Sequence, residues 1–220
     1  MLGVLYDVHG NLPALEAVLA DCPAERFLLG GDYVVAGAWP NETLERLHGL
    51  DAEWIRGNTE RWLVDTSDAP AGVMPILEKT REVLGQEEID WLVSLPESTA
   101  HGTTLYCHAS PGSDMDSFLP DSEAGDEQLL SASQAERVVF GHTHLQFERR
   151  SGSGIHLVNP GSVGIPCDGD HRAAYAIAHD DGRMELRRAE YDWRAAARAV
   201  RERVAELPAK RIEQARFDPV

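Results

Sequence analysis

Five short apolar runs in this 220-residue chain each end on metal-capable side chains, in four cases beside a glycine. Residues 2–6 lead into Asp7, His9, Gly10 and Asn11, residues 26–29 into Gly31 and Asp32, and residues 53–55 into Gly57, Asn58 and Glu60. Residues 98–101 and 103–107 read as a hairpin about Gly102 that delivers His108, and residues 138–140 run into Gly141, His142 and His144. Short apolar runs of this kind read as buried strands. At four of the five, Gly10, Gly31, Gly57 and Gly141 let the chain turn sharply and bring its backbone close to an ion or a phosphate. Alternate side chains of an extended loop point the same way, so Asp7 with His9, and His142 with His144, can each face one site. A lone Asp-x-His or His-x-His is more often a turn or a satisfied polar pair. Five clusters at five strand ends point to one convergent site.

Helix signals separate the first three runs. Pro13 sits at a first helical position after Asn11, with Leu12, Leu15 and Leu19 at helical spacing, and Leu44, Leu47 and Leu50 follow Pro40. The resulting β-α-β-α-β order places a polar motif at the C-terminal end of each strand, the edge where open α/β sheets build their sites. The fold class expected is therefore α/β. Two further helices are expected on either side of Gly85, between Pro75 and Pro96, and the second half reads as strand-rich. Residues 147–150 pair with 155–159, and 175–179 with 184–188, around Gly-containing turns. A last helix is expected from Trp193, with Ala197, Val200, Val204 and Leu207 on one stripe and Asp192 as N-cap. The acidic residues 113–127 read as a mobile, solvated loop.

The length suits one core, and no biased stretch marks a linker, so a single domain over 1–220 is expected. A formal charge of −17 without any Lys/Arg-rich block argues against long nucleic acid as a partner. A small phosphorylated substrate held by metal ions remains compatible with it. No segment approaches the roughly 20 apolar residues that span a bilayer, and the N-terminal run reads as a first strand and not as a signal peptide. Cys22, Cys107 and Cys167 are odd in number and lack any CxxC pair, which argues against a disulfide framework or zinc ribbon and fits a reducing cytoplasm. Carboxylate, amide and imidazole donors together suit Mn²⁺, Fe²⁺, Zn²⁺, Co²⁺ or Ni²⁺ better than Ca²⁺.

The order Asp-x-His, Gly-Asp, Gly-Asn, His, Gly-His-x-His over Asp7 to His144 resembles the calcineurin-like metallophosphoesterase superfamily, and within it the small bacterial and archaeal phosphodiesterase-like members. Asn159, Gly161, Ser162 and Gly164 sit in a segment that is also similar to one those small members carry. The resemblance implies two packed mixed β-sheets flanked by helices, an α/β/β/α sandwich. It implies two divalent transition-metal ions, manganese first and Fe, Zn, Co or Ni as alternatives. Asp7, His9, Asp32 and His144 would hold one ion and Asp32, Asn58, His108 and His142 the other, with Asp32 bridging and with Asp32, Asn58 and His9 as catalytic residues. A hydroxide between such ions would attack phosphorus in line with the leaving group. The activity implied is hydrolysis of phosphodiester, nucleotide or other phosphate ester bonds. Protein phosphatase, diadenosine polyphosphate hydrolase and a non-catalytic scaffold are the alternatives, and the retention of every ligand position favours an enzyme over a scaffold.

One position departs from the pattern. Many superfamily phosphatases carry a histidine after Gly-Asn, where it can protonate the leaving oxygen, and this chain has Thr59. A hydroxyl cannot serve as a general acid near pH 7, so esters with good leaving groups are the expected substrates. Candidate substrate contacts are Asn11, Arg56, Thr59 and Arg172, with Arg61 a further cation beside Asn58. Arg172 is expected to stand in for an arginine that related members often have where this chain has Cys167, itself read as a surface loop residue. Asn11 reads equally well as a helix cap, and Glu60 as a residue that orients its neighbours. Trp39 and Trp62 lie close enough to the motif loops to stack a base, although core or rim packing explains them as well.

Overall fold

The computed structural model describes residues 1–216, and residues 217–220 at the end of the expected domain lie outside them. Strands β1 (Leu2–Leu5), β2 (Arg26–Leu29) and β3 (Asp51–Trp54) run parallel, linked by helices α1 (Leu12–Asp21) and α2 (Pro40–His48). A short α3 (Asn58–Trp62) begins on the Gly57-Asn58 motif itself, and α4 (Met74–Val83) and α5 (Gln86–Ser94) follow on either side of Gly85. Next come β4 (Ser98–His101), β5 (Thr104–Cys107), α6 (Asp126–Leu130), β6 (Arg137–Val139), β7 (Gln146–Arg150) and β8 (His156–Pro160). The chain returns through β9 (Ala173–Ala178) and β10 (Met184–Ala189) to α7 (Trp193–Arg203) and α8 (Glu206–Gln214).

Two mixed five-stranded sheets result, in the orders β10-β9-β1-β2-β3 and β4-β5-β6-β8-β7. Strand periodicity decides how they stack. Val4, Leu28 and Ala176 leave one face of the first sheet and meet Tyr106, Val139 and Val158 of the second. Their neighbours Leu5, Leu29, Tyr175 and Ile177 turn the other way, onto Leu15, Val18, Leu47 and Val200 of the helices. Tyr6 closes the sandwich near the motif end, its hydroxyl donating to the Val139 carbonyl at 3.0 Å. On the far side of the second sheet, Val138, Phe140 and Leu157 are covered by Phe118 and Leu130. The expected sandwich of two sheets is thus present, and no described helix is long and apolar enough to cross a membrane.

Two expectations about segments need correction. Residues 113–127 are not simply a solvated loop. Phe118 is buried edge-on to Phe140, and Asp126 is buried in an ion pair with Arg149 at 2.8 Å. The last helix does not run through Leu207 either; it stops at Arg203, and α8 starts afresh at Glu206. Pro208 is the reason, because in a continuous helix it would offer no N–H to the Val204 carbonyl and would clash with it. That carbonyl accepts a hydrogen bond from Lys79 Nζ instead. Asp192 does cap α7, accepting from the Ala195 N–H at 2.9 Å.

Candidate metal centre

The C-terminal ends of β1, β2, β3, β5 and β6 lie side by side in the two sheets, so the five clusters converge. Asp7, His9 and His144 place ligand atoms within 4.8 Å of one another, and so do Asp7, Asp32 and His108. Asn58 joins them through Oδ1, 2.9 Å from His108 Nε2 and 3.0 Å from His142 Nδ1. Asp32 lies between the groups, with Oδ2 3.6 Å from His9 Nε2 and Oδ1 3.6 Å from His108 Nε2. Asp7, His9, Asp32, Asn58, His108 and His144 are all buried, and His142 is partly so.

The backbone is bent to bring these side chains in. Asp7, His9, Asp32, His142 and His144 all adopt positive φ, between 48° and 65°, a conformation disfavoured for residues with a Cβ and concentrated at functional sites. The glycines between them leave room that nothing larger would. A Cβ on Gly57 would stand 2.3 Å from Asp32 Oδ1, and one on Gly141 2.6 Å from Asp7 Oδ2.

The Glu60 carboxylate clamps two of the loops together, accepting from the N–H groups of Asp32 at 2.8 Å, Tyr33 at 2.9 Å and Gly57 at 3.0 Å. The segment after β8 holds the others. Ser162 Oγ donates to the Asp7 carbonyl at 2.8 Å, and Asn159 Nδ2 donates to the Gly141 carbonyl at 3.0 Å.

These residues suit a cation. Asp7 Oδ1 is buried without a hydrogen-bond partner among the described residues, although it lies 3.6 Å from His144 Nε2. An orphaned carboxylate oxygen of this kind is costly unless something positive completes it. His9 Nδ1 donates to the Val35 carbonyl, His144 Nδ1 to that of Ile165 and His108 Nδ1 to that of Gly30. In the neutral rings this fixes the tautomer and leaves each Nε2 lone pair aimed into the site, the arrangement found at metal-binding histidines.

Titration behaviour agrees with that reading. Burial pushes the Asp7 carboxyl well above the usual range, against the pull of His108. Burial would also raise Asp32, but His108, His9 and the Thr59 N–H outweigh it and hold it down at about 2. Burial lowers His144, with His9 adding to the effect, and lowers His142 to about 4. His108 alone of the site imidazoles moves up: burial opposes protonation, yet Asp32 and Asp7 prevail. The two carboxylates draw a proton to His108, while the other three imidazoles resist one.

Beside it opens a cavity of about 180 Å³ whose walls include His9, Asp32, Asn58, Thr59, His142 and His144. A larger hollow of about 760 Å³, bordered by Arg137, Arg150 and His156, holds none of these residues.

The expected substrate contacts fare differently. Thr59 reaches the cavity, but its hydroxyl donates to Asp32 Oδ1 at 2.8 Å. Asn11 does not face the cavity: its Oδ1 caps α1 through the Ala14 N–H, and its Nδ2 donates to the Gly164 carbonyl and the Tyr191 hydroxyl. Arg56 is turned away, bound to the Val93 carbonyl and to Glu97 at 2.6 Å. Arg172 is exposed and held by Asp170 at 2.6 Å, in a hollow with His171 and Trp193, so it is not the stand-in expected for Cys167. Cys167 is no surface residue, being buried with Sγ 3.9 Å from His144 Nδ1. Arg61 borders a polar hollow next to His108, where Asp114 and Asp68 both bind its guanidinium. Trp62 lines the cavity, whereas Trp39 packs under Arg203 and is not among the lining residues. Leu207 and Arg211 of α8 line it too, and the sequence reading missed both in this role.

A family model described as the calcineurin-like phosphoesterase superfamily domain matches residues 1–182. The chain belongs to that superfamily. Among its relatives, the uncharacterized protein MJ0912 of Methanocaldococcus jannaschii is 29% identical over 96% of this chain and 97% of its own length. The phosphodiesterase YfcE of Escherichia coli K12 is 28% identical over 80% of this chain and 85% of its own. Among solved structures, a metallophosphoesterase from Sphaerobacter thermophilus superposes with a TM-score of 0.84 at 28% identity, covering 97% of this chain and 99% of that one.

Proposed function

We propose that this superfamily member is a divalent-metal-dependent phosphoesterase of small substrates, with diesters and esters of good leaving groups preferred. The observation that carries this is the buried Asp7 Oδ1, without a hydrogen-bond partner among the described residues and set among His144, His108 and Asp32, of which His144 and Asp32 line a cavity. Asp7, His9, Asp32 and His144 would hold one ion and Asp32, Asn58, His108 and His142 the other. The position of Asp32 between His9 and His108 supports its bridging role. Manganese is the first choice, with iron, zinc, cobalt or nickel also suited to such donors. Ions held there would supply Lewis acidity, neutralising phosphoryl oxygens and lowering the pKa of water.

The chain's own residues prepare the site for this. Backbone carbonyls keep the Nδ1 protons of His9, His108 and His144 in place. Burial keeps His9 and His144 neutral, so their Nε2 atoms remain available as ligands. Thr59 donates both its N–H and its hydroxyl to Asp32 Oδ1, steadying the carboxylate. Occupied in that way, and far too weak an acid, Thr59 leaves departure of the alcohol unassisted by a side chain at this position. The names of the Escherichia coli phosphodiesterase and the Sphaerobacter metallophosphoesterase agree with this chemistry. The three cysteines are free and buried, in keeping with a reducing cytoplasm.

Hydrolysis of bis(4-nitrophenyl) phosphate in Mn²⁺ tests the proposal. Wild type should turn it over, and Asp32→Asn should lose more than about 100-fold, beyond the effect of disturbing an outer contact. A folded wild type that is inert with Mn²⁺, Fe²⁺, Zn²⁺, Co²⁺ and Ni²⁺, and across monoester, diester and pyrophosphate substrates, would favour the scaffold reading.

A further inference from the structure

The cavity beside the ligand cluster has two unlike halves. One is the polar floor already described. The other is an apolar wall in which Trp62 and Ile76 come from one part of the chain, and Leu207 and Pro208 come from α8. Arg211, one turn further along α8, is the one arginine or lysine among the described residues that line the cavity. This wall exists because Pro208 breaks the C-terminal helix and starts α8 in a new direction, and α8 lies beyond the residues that the family model matches.

The chemistry of the wall restricts what can lie against it. Sugar hydroxyls and base edges pressed onto Trp62, Ile76, Leu207 and Pro208 would lose water and gain no hydrogen bonds. An apolar group would gain from the same contact. The volume limits the size: about 180 Å³ for both halves together, against the roughly 150 Å³ apolar cavity that takes up benzene, leaves room for no more than one compact group beside the phosphoryl end.

We propose that this half of the cavity is the subsite for the organic part of the ester. It takes a single apolar ring or branched chain between Trp62 and Leu207, while Arg211, which lines the same cavity as His9 and His144, binds phosphoryl oxygens beside the ligand cluster. The proposal rests on the phosphoesterase reading above and narrows its substrates to esters of compact apolar or aromatic alcohols.

Non-hydrolysable phosphonates separate the two readings. Calorimetric titration of Mn²⁺-loaded protein should show phenylphosphonate binding about tenfold or more tighter than methylphosphonate. Leu207→Asn, which adds no charge beside the anion, should bring that ratio close to one chiefly by weakening phenylphosphonate, and the milder Leu207→Ala should reduce it part-way if the asparagine variant does not fold. Arg211→Gln should weaken both phosphonates by about tenfold and preserve their ratio. Equal affinity of wild type for the two phosphonates, or a ratio that survives both Leu207 variants, would overturn the subsite, and unchanged affinities in Arg211→Gln would remove Arg211 from it. Ester turnover without phosphonate discrimination sinks this subsite alone. Discrimination without turnover of any ester sinks the phosphoesterase reading alone.

Discussion

The Nε2 atoms of His9 and His144 face each other across 3.1 Å, while the opposite nitrogen of each ring donates to a backbone carbonyl. Two neutral rings held in this way direct lone pairs at one another, and burial resists the protonation that would relieve the repulsion.

A cation between them should therefore stabilise the fold. At free Mn²⁺ about 100 times its Kd, binding adds about 2.7 kcal/mol, or about 5–10 °C in Tm for a chain of this length. Scanning fluorimetry in EDTA and in Mn²⁺ measures the shift. His144→Ala should reduce it, since only one of the two proposed ions uses this ring, and an equal shift in that variant would remove His144 from the centre.

Glu60 should matter to the metal without touching it. Glu60→Gln replaces one accepting oxygen by an NH₂ group that must face the N–H of Asp32, Tyr33 or Gly57. A loss of about 1–3 kcal/mol in urea unfolding is expected, with Mn²⁺ affinity weakened by about 10–100-fold. Titration calorimetry showing affinity within twofold of wild type would contradict the clamp.

Thr59 predicts a steep dependence on the leaving group. General acid assistance is typically worth about 10²–10⁴-fold, so the ratio of kcat/KM for 4-nitrophenyl phosphate to that for glycerol 2-phosphate should exceed about 100. Thr59→His should narrow the ratio by about tenfold or more. Comparable rates for the two esters in wild type would refute it.

His142 gives a pH signature in the metal-free protein. Burial, aided by His108, lowers its pKa to about 4, whereas an unfolded histidine titrates near about 6.5. Between those values the unfolded chain binds the extra proton, so this contribution to stability is intact above about pH 6.5 and is lost as pH falls toward 4. In EDTA, the stability of wild type relative to His142→Gln should decline over that window and level off below it. Denaturant midpoints measured from pH 4 to 7 that run parallel in the two proteins would exclude the effect.

How much the sequence disclosed depended on where each signal lay. Asp7, His9, Asp32, Asn58, His108, His142 and His144 were legible because each stands at the end of an apolar run, and four of the five clusters carry a flanking glycine that marks the turn. Arg56, Arg61 and Arg172 misled for the opposite reason. They sit beside motifs in the chain, yet what disposes of them is pairing with Glu97, Asp114, Asp68 and Asp170, which proximity to a motif does not reveal. Val204 and Leu207 continue the helical stripe, so apolar periodicity joined two helices into one. Pro208 was the available warning. Nothing in the sequence placed Arg211 at the cavity, because its position follows from the direction that α8 takes after the break.

The left-handed backbone at Asp7, His9, Asp32, His142 and His144 carries a consequence for anyone trying to make this chain more robust. Glycine would relax the main chain at each of those positions, and each such exchange would delete a proposed ligand. Selection for heat resistance alone would therefore drift toward sturdier proteins that have lost their chemistry, so any such screen must keep a catalytic readout in every round.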